Sequence, residues 1–325
     1  MDKFIFISHD NTDPYFNLAS EEYLLKQTDG FYVYLWVNSP AVIVGVNQNA
    51  FSEVRLNVLE EKNIKLVRRL TGGGAVYHDL NNLCYTIIAP YDEGKTSYKE
   101  FTAPVIEYLN SLGVKAEFTG RNDVSIDGKK ISGTAQTVYK NRVMFHGTLL
   151  YKTDFDVLSS VLSPDKLKIE SKGIKSVRKR VTNISEYLPN VSFNEFRKGI
   201  ADFLKKDKRV RTFNSEEITQ IEKLKREKYL TYDWNFGNSP KGENEYSARF
   251  SFGTVKVNFD TVSGVMQNVK ITGDFFSEKG ISGLEEKFNG TKLQKEDLEK
   301  VIDLVPKYIS GADAEEIKKE IFKVE

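Results

Sequence analysis

Three consecutive glycines, Gly72, Gly73 and Gly74, lie between two strand-like apolar runs, Lys65 to Arg69 and Leu83 to Ala89, within Arg68-Arg69-Leu70-Thr71-Gly72-Gly73-Gly74-Ala75-Val76-Tyr77-His78-Asp79. Glycine weakens any regular element, so the triplet demands a turn, and with no side chains it leaves several backbone amides open to close approach by an anion. The arginines entering the turn add bidentate donors suited to phosphate or carboxylate oxygens. A local anion site is the expectation, with a plain hairpin turn carrying solvated arginines as the alternative. Neither standard nucleotide motif applies. No Lys-Ser/Thr pair closes the glycines as in a P-loop, and they are not spaced between a strand and a helix as in a dinucleotide fingerprint.

Alternating signals surround the triplet. Asp13-Pro14 is an N-cap and first-turn pair for a helix whose Phe16, Ala19 and Tyr23 share a face. Tyr32 to Trp36 and Ala41 to Val46 read as strands, Lys99 to Leu112 as a helix stopped by Gly113, and Asp123 to Ser132 and Val143 to Tyr151 as strands. Ser192 and Glu195 have capping-box spacing ahead of Phe196 to Lys205, and Glu216 to Leu230 has an amphipathic period. This irregular mixture predicts an α+β fold rather than a doubly wound parallel sheet. At 325 residues a second domain is expected, and the unpatterned Gly237 to Glu245 stretch suits a linker between residues 1–240 and 246–325. The second unit shows three alternating strands from Tyr246 to Gly273 and helical patterns at Glu296 to Val305 and Ala314 to Phe322.

Charge and composition narrow the partners. Forty-seven Lys and Arg against 46 Asp and Glu give a net charge of +1, so no general attraction to nucleic acid or an anionic membrane is expected and any anion site is local. The longest apolar runs are too short to span a bilayer, and Met1 to Asp13 lacks the apolar stretch of a signal peptide, which predicts a cytoplasmic protein. The single cysteine, Cys84, forbids an internal disulfide, and His9, His78 and His146 lack metal-ligand spacing, so any metal is expected to be oxygen-bound.

A second motif is the hairpin Val124-Ser125-Ile126-Asp127-Gly128-Lys129-Lys130-Ile131-Ser132. Asp-Gly between alternating runs predicts a two-residue turn that pairs Ile126 with Lys129, Ser125 with Lys130, Val124 with Ile131 and Asp123 with Ser132. Val124, Ile126 and Ile131 then share one face with Lys129, and Asp123, Ser125, Lys130 and Ser132 share the other. Lys130 is the lysine with a carboxylate neighbour, Asp123; spacing alone leaves it open whether either lysine is more than a solvated surface group.

The glycine segment, Gly120-Arg121-Asn122-Asp123, Lys130-Ile131-Ser132-Gly133-Thr134-Ala135, His146-Gly147-Thr148-Leu149 and Lys172-Gly173-Ile174-Lys175-Ser176-Val177-Arg178 together resemble bacterial lipoate-protein ligase A in order and separation. Asp13-Pro14, Asn17-Leu18-Ala19, Glu21-Glu22 and Trp234-Asn235-Phe236-Gly237 extend the resemblance towards both ends. It implies a biotin/lipoate ligase-like catalytic domain, related to class II aminoacyl-tRNA synthetases, followed by a small α+β accessory domain. In that family lipoate and ATP give lipoyl-AMP, and a lysine of an acceptor lipoyl domain takes the acyl group. By resemblance Lys130 contacts carboxylate and α-phosphate. Arg69, Gly72, Gly73, Gly74, Ala75, Val76 and Tyr77 then form the nucleotide turn, with Asn122 and Asp123 beside ATP and Asp123 a Mg²⁺ ligand. Glu21, Trp36, Arg69, Val76, His78 and His146 are assigned to lipoate. The resemblance makes the basic stretch Lys166 to Arg180 an adenylate-binding loop. It names as partners the lipoyl domains of 2-oxoacid dehydrogenase complexes or the glycine cleavage H protein, with the ligase a monomer.

A rival is the relative that moves octanoyl or lipoyl groups between carrier proteins through a cysteine thioester. Cys84, within Leu83-Cys84-Tyr85-Thr86-Ile87-Ile88, is the sole candidate nucleophile, and a lone cysteine in an apolar strand behaves as a small buried hydrophobe.

Overall fold

The computed structural model describes residues 4–92, 97–162, 180–236, 244–262 and 264–322. Strands are β1 (Phe4–Ile7), β2 (Phe31–Val37), β3 (Ala41–Val44), β4 (Lys65–Arg68), β5 (Val76–His78), β6 (Asn82–Pro90), β7 (Ala116–Thr119), β8 (Asp123–Ile126), β9 (Lys129–Tyr139), β10 (Arg142–Leu150), β11 (Arg209–Arg211), β12 (Asn244–Phe250), β13 (Gly253–Val262) and β14 (Val265–Gly273). Helices are α1 (Pro14–Lys26), α2 (Ala50–Glu53), α3 (Leu56–Glu61), α4 (Tyr98–Ser111), α5 (Phe155–Val161), α6 (Phe193–Lys205), α7 (Ser215–Leu224), α8 (Tyr232–Phe236), α9 (Ser282–Phe288), α10 (Lys295–Ile302) and α11 (Ala314–Phe322).

Among the described residues an eight-stranded mixed sheet has the order β11-β1-β2-β6-β10-β9-β8-β7, as expected of an α+β chain. Both faces are covered, which is why its central strands read as unbroken apolar runs. In β2, Val33, Leu35 and Val37 join the core under α4 and α6, whereas Tyr32, Tyr34 and Trp36 join the core under α1. In β6, Leu83, Tyr85 and Ile87 face the first core, and Cys84 and Ile88 the second. The period of two decides which polar residues reach the α1 side: Thr86 of β6 lies opposite both Tyr34 of β2 and His146 of β10.

The glycine triplet does not close a hairpin. Strands β4 and β5 lie on opposite sides of β3, in the order β4-β3-β5, so the segment from Arg69 to Ala75 crosses the end of β3. The Asp127-Gly128 turn forms with φ of 50° and 73°, the paired positive values of a type I′ hairpin, and Ile126 meets Lys129 and Ser125 meets Lys130 as expected. Beyond them the register slips. A bulge leaves Ile131 unpaired, so Ser132 sits opposite Val124 and Gly133 opposite Asp123. Ser132 is consequently fully buried rather than part of the polar face.

The capping boxes at Ser192 and Asn214 start α6 and α7, and Asp13 caps α1 by accepting from Tyr15 N–H. The C-terminal sheet β12-β13-β14 packs on α9, α10 and α11 around its own apolar core; α9 has no clear signal in the sequence. The expected loop over 166–180, apart from Arg180, and most of the linker over 237–245 lie outside the described residues. No helix among the described residues is long and apolar enough to cross a membrane.

Candidate active site

A cleft of about 170 Å³ opens on the α1 side of the large sheet. Leu18, Trp36, Ile43, Val76 and Cys84 give it apolar walls. Asn122, Lys130, Gly133 and Thr134 bring polar groups, and Arg69, Gly73, Gly74 and Ala75 bring the turn. His78, His146 and Phe276 also line it. Gly72, Tyr77, Glu21 and Asp123 do not line it. Gly72 is turned towards Phe275, Tyr77 packs into the core under α3 and α5, and Glu21 lies behind His146. Asp123 reaches the cleft only through Lys130.

Lys130 is held by Asp123 with Nζ 2.8 Å from Oδ1, both side chains about one-third exposed. The pleat thus delivers the neighbour that the hairpin register implied. Lys130 Nζ lies close over Gly133, where a Cβ would sit 2.9 Å from it, so a side chain there would push the lysine aside. Asn122 Nδ2 donates to Thr134 O at 2.7 Å, and Thr134 returns bonds from its N–H and hydroxyl to Asn122 O, fixing the loop that precedes Asp123. The main chain of Lys130 pairs with Val181, and Thr182 N–H donates to Lys130 O at 3.0 Å.

The two arginines are not free cations awaiting an anion. Arg68 is fully buried and spends its guanidinium on the carbonyls of Gly45, Val46, Gln48, Trp234 and Asn235. Arg69, also buried, donates to the carbonyls of Ile43, Gly72 and Gly74 and to Thr71 Oγ1. Burial draws both guanidinium groups down to about 10, which leaves them charged at neutral pH. Arg69 therefore tightens the turn from inside and lends its charge to the cleft, while Arg68 pins β4 to α8.

Each glycine of the triplet has a different reason to be one. A Cβ on Gly72 would lie 2.7 Å from Phe275 O, and Gly73 has φ of +89°. Gly74 has open space around it, so only what enters the cleft limits a side chain there. Gly45 is tied to the turn as well: its Cβ would fall 2.2 Å from Gly73 O. The second domain leans on the same turn. Gly73 N–H donates to Phe275 O at 3.3 Å, Gly273 N–H to Asn47 O at 2.7 Å, and the Phe276 ring lies 4.5 Å beneath the Arg121 guanidinium.

His78 is not set up to carry a proton. Asn38 donates to His78 Nδ1 at 3.1 Å, and burial, then the charge of Arg69, push His78 down to about 3. His146 has Nδ1 on the Glu21 carboxylate at 3.0 Å and Nε2 on Thr71 Oγ1 at 2.8 Å. Cys84 lies 3.6 Å from His78 Nδ1 but is 1% exposed, and burial pushes its thiol well above the usual range. A neutral histidine beside a protonated thiol is a poor start for a thioester. Thr71, Thr86, Asn38 and Phe276 were not singled out from sequence. Thr86, a hydroxyl inside an apolar strand buried on both faces, carried the clearest signal of the four.

No cluster of three or more His, Cys, Asp or Glu side chains fit to hold a metal occurs among the described residues. Asp123, the expected metal ligand, is already paired with Lys130.

The pattern of a lipoyl protein ligase A/B catalytic domain matches residues 13–205, and that of a bacterial lipoate protein ligase C-terminus matches 239–321. The chain is 42% identical over 305 residues to lipoate–protein ligase 1 of Staphylococcus aureus, covering 91% of this chain and 93% of that one. Its fold is shared by Plasmodium falciparum LipL1 in complex with lipoate, with a TM-score of 0.81 over 98% of this chain and 99% of that one at 24% identity. A lipoate-protein ligase A bound with ATP matches with a TM-score of 0.63 at 28% identity over 73% of this chain and 99% of that one. A bipartite lipoate protein ligase of Thermoplasma acidophilum, studied with its E2 lipoyl domain, matches at 0.66 and 30% identity over 75% and 99%.

Proposed function

Because the chain belongs to the lipoate–protein ligase family, with both the catalytic and the C-terminal domain of that family, we propose that its α1-side cleft is where lipoate and ATP meet. The chain is an ATP-dependent lipoate–protein ligase. In our reading the apolar walls at Leu18, Trp36, Ile43, Val76 and Cys84 take the acyl chain. Gly73 and Gly74 leave room for phosphate oxygens, and Lys130 stands between the two anions. The observation that carries this is Lys130 at the cleft, aimed by Asp123, with the glycine turn beside it.

Two negatively charged reactants repel, so preorganised positive charge is the main requirement of the first step. Lys130 supplies it to the carboxylate and the α-phosphate together. One carboxylate oxygen bonds to the α-phosphorus as the bond to the β-phosphate bridging oxygen breaks, and pyrophosphate leaves. The acceptor lysine amine then attacks the acyl carbon and AMP departs. Asp123 and Asn122 would hold Mg²⁺ against the phosphates, where it would neutralise charge on the leaving oxygens. Arg69 acts from behind, holding the Gly72 and Gly74 carbonyls so that the turn keeps its shape beside the phosphates.

The acceptors in this reading are lipoyl domains of 2-oxoacid dehydrogenase complexes or the glycine cleavage H protein, supported by the archaeal ligase studied with its E2 lipoyl domain. We place the domain boundary between residues 240 and 246, supported by separate apolar cores and by β12 starting at Asn244. The enzyme is taken to act as a monomer in the cytoplasm. Lipoate-dependent exchange of labelled pyrophosphate into ATP tests the function. We expect exchange in the wild type and in Cys84→Ala, the latter with lower stability; no exchange in a folded wild type overturns the adenylation reading. Loss of acyl transfer from preformed lipoyl-AMP in folded Cys84→Ala would revive the thioester route.

A further inference from the structure

Two threonine hydroxyls that do not line the cleft join its apolar wall to its glycine turn. Trp36 donates its indole N–H to Thr86 Oγ1 at 2.8 Å, and Thr86 donates to Glu21 Oε1 at 2.5 Å. The Glu21 carboxylate meets His146 Nδ1 at 3.0 and 3.1 Å. On the far side of the ring, His146 Nε2 lies 2.8 Å from Thr71 Oγ1, which also accepts from Arg69 Nε at 2.9 Å. Arg69 ends the chain on the carbonyls of Gly72 and Gly74. Each of the six side chains, Trp36, Thr86, Glu21, His146, Thr71 and Arg69, is at most 8% exposed.

An ionised Glu21 only accepts, so Nδ1 of His146 carries its hydrogen. Nε2 then accepts from the Thr71 hydroxyl, or donates to it when the ring carries both hydrogens; either way Thr71 Oγ1 keeps a lone pair for Arg69. In a dry interior such a chain polarises cooperatively and a missing member leaves its neighbours unsatisfied, so the set tends to hold or fail as a unit. Among the described residues the hydrogen bonds that join its three cleft-lining members, Trp36, His146 and Arg69, run through Thr86, Glu21 and Thr71, which stay out of the cleft.

We propose that Thr86 and Thr71 are positioning residues that fix the acyl wall and the phosphate-binding turn to each other, so that lipoate and ATP binding weaken together when either hydroxyl is lost. The proposal rests on the cleft being the lipoate and ATP site. Thr86→Val and Thr71→Val keep shape and remove the hydroxyl; Thr86→Ser and Thr71→Ser keep it. In pyrophosphate exchange by the full chain, each valine variant is expected to raise KM for both substrates about 3- to 10-fold, the value of one net hydrogen bond, with a smaller change in kcat. The serine variants should restore both constants, and the double valine variant should be no worse than the worse single one. Trp36→Phe, which removes the first donor along with part of the ring at the acyl wall, should also raise KM for ATP, and this remote effect gives the reading if a valine variant does not fold. A change confined to lipoate, effects that multiply in the double variant, or serine variants as impaired as valine ones would overturn the coupling. Absence of exchange in the wild type would instead overturn the assignment of function.

Discussion

Lys129 and Lys130 are adjacent in sequence, and the pleat sends them to opposite sides of one hairpin. Lys130 meets Asp123 at the cleft, while Lys129 faces a separate depression with Lys152 and Glu186. Lys130→Ala should abolish lipoate-dependent pyrophosphate exchange with an unchanged circular dichroism spectrum, whereas Lys129→Ala should retain exchange; equal loss in both would sink the assignment of faces. This pairing was legible because Asp-Gly dictates both turn type and nearest register. The bulge at Ile131 was not, because it answers to what the core demands of Ser132 and Gly133 rather than to the turn. Among the glycines, Gly74→Ala is expected to fold with wild-type melting temperature and to raise KM for ATP, since its Cβ meets no protein atom within 4 Å. A melting temperature that falls while KM holds would show that Gly74 serves the fold and not the cleft.

At the scale of elements, the strands of the large sheet were readable because burial on both faces leaves only apolar residues tolerable. The same burial makes a polar residue stand out without saying what it is for. Thr86 and Arg68 each sit in a strand whose pattern gives no reason for them, and their reasons lie in Glu21 and α8, far away in sequence. The crossing from β4 to β5 over β3 was equally invisible, since a glycine triplet serves a crossover as well as a hairpin. Arg68 replaces side-chain contact by five bonded carbonyls. Arg68→Met should therefore keep the volume but lose about 3 to 5 kcal/mol in urea unfolding, the typical penalty for breaking a buried charged network. A loss under about 1 kcal/mol would mean that solvent readily replaces the guanidinium at those carbonyls.

For the whole molecule, buried histidine makes acid the weak side. His78 titrates near 3 in the folded chain against 6.5 for a histidine free in water. Between those values the unfolded chain binds the proton and the folded chain does not, so its contribution is complete above about 6.5 and is lost as pH falls. His9, held near 4 by burial, adds in the same direction. Thermal midpoints measured from pH 7.5 down to 5 should drop, and the drop should be shallower in His78→Asn, by at most about 1.4 kcal/mol per pH unit. Identical slopes would show that other groups govern the acid side. The family motifs were visible from the chain alone, but the seating of Phe275 and Phe276 on the turn was not, because no local pattern records which loop will come to rest on a glycine. Gly45 shows how far that reaches. With no room for a methyl group against the Gly73 carbonyl, it is as much a part of the turn as the triplet 27 residues downstream of it. Anyone transplanting the loop from Arg68 to Asp79 into another scaffold would carry over the recognisable motif and lose its shape, unless the host also left a bare backbone where the strand crossed by the loop, β3 here, ends.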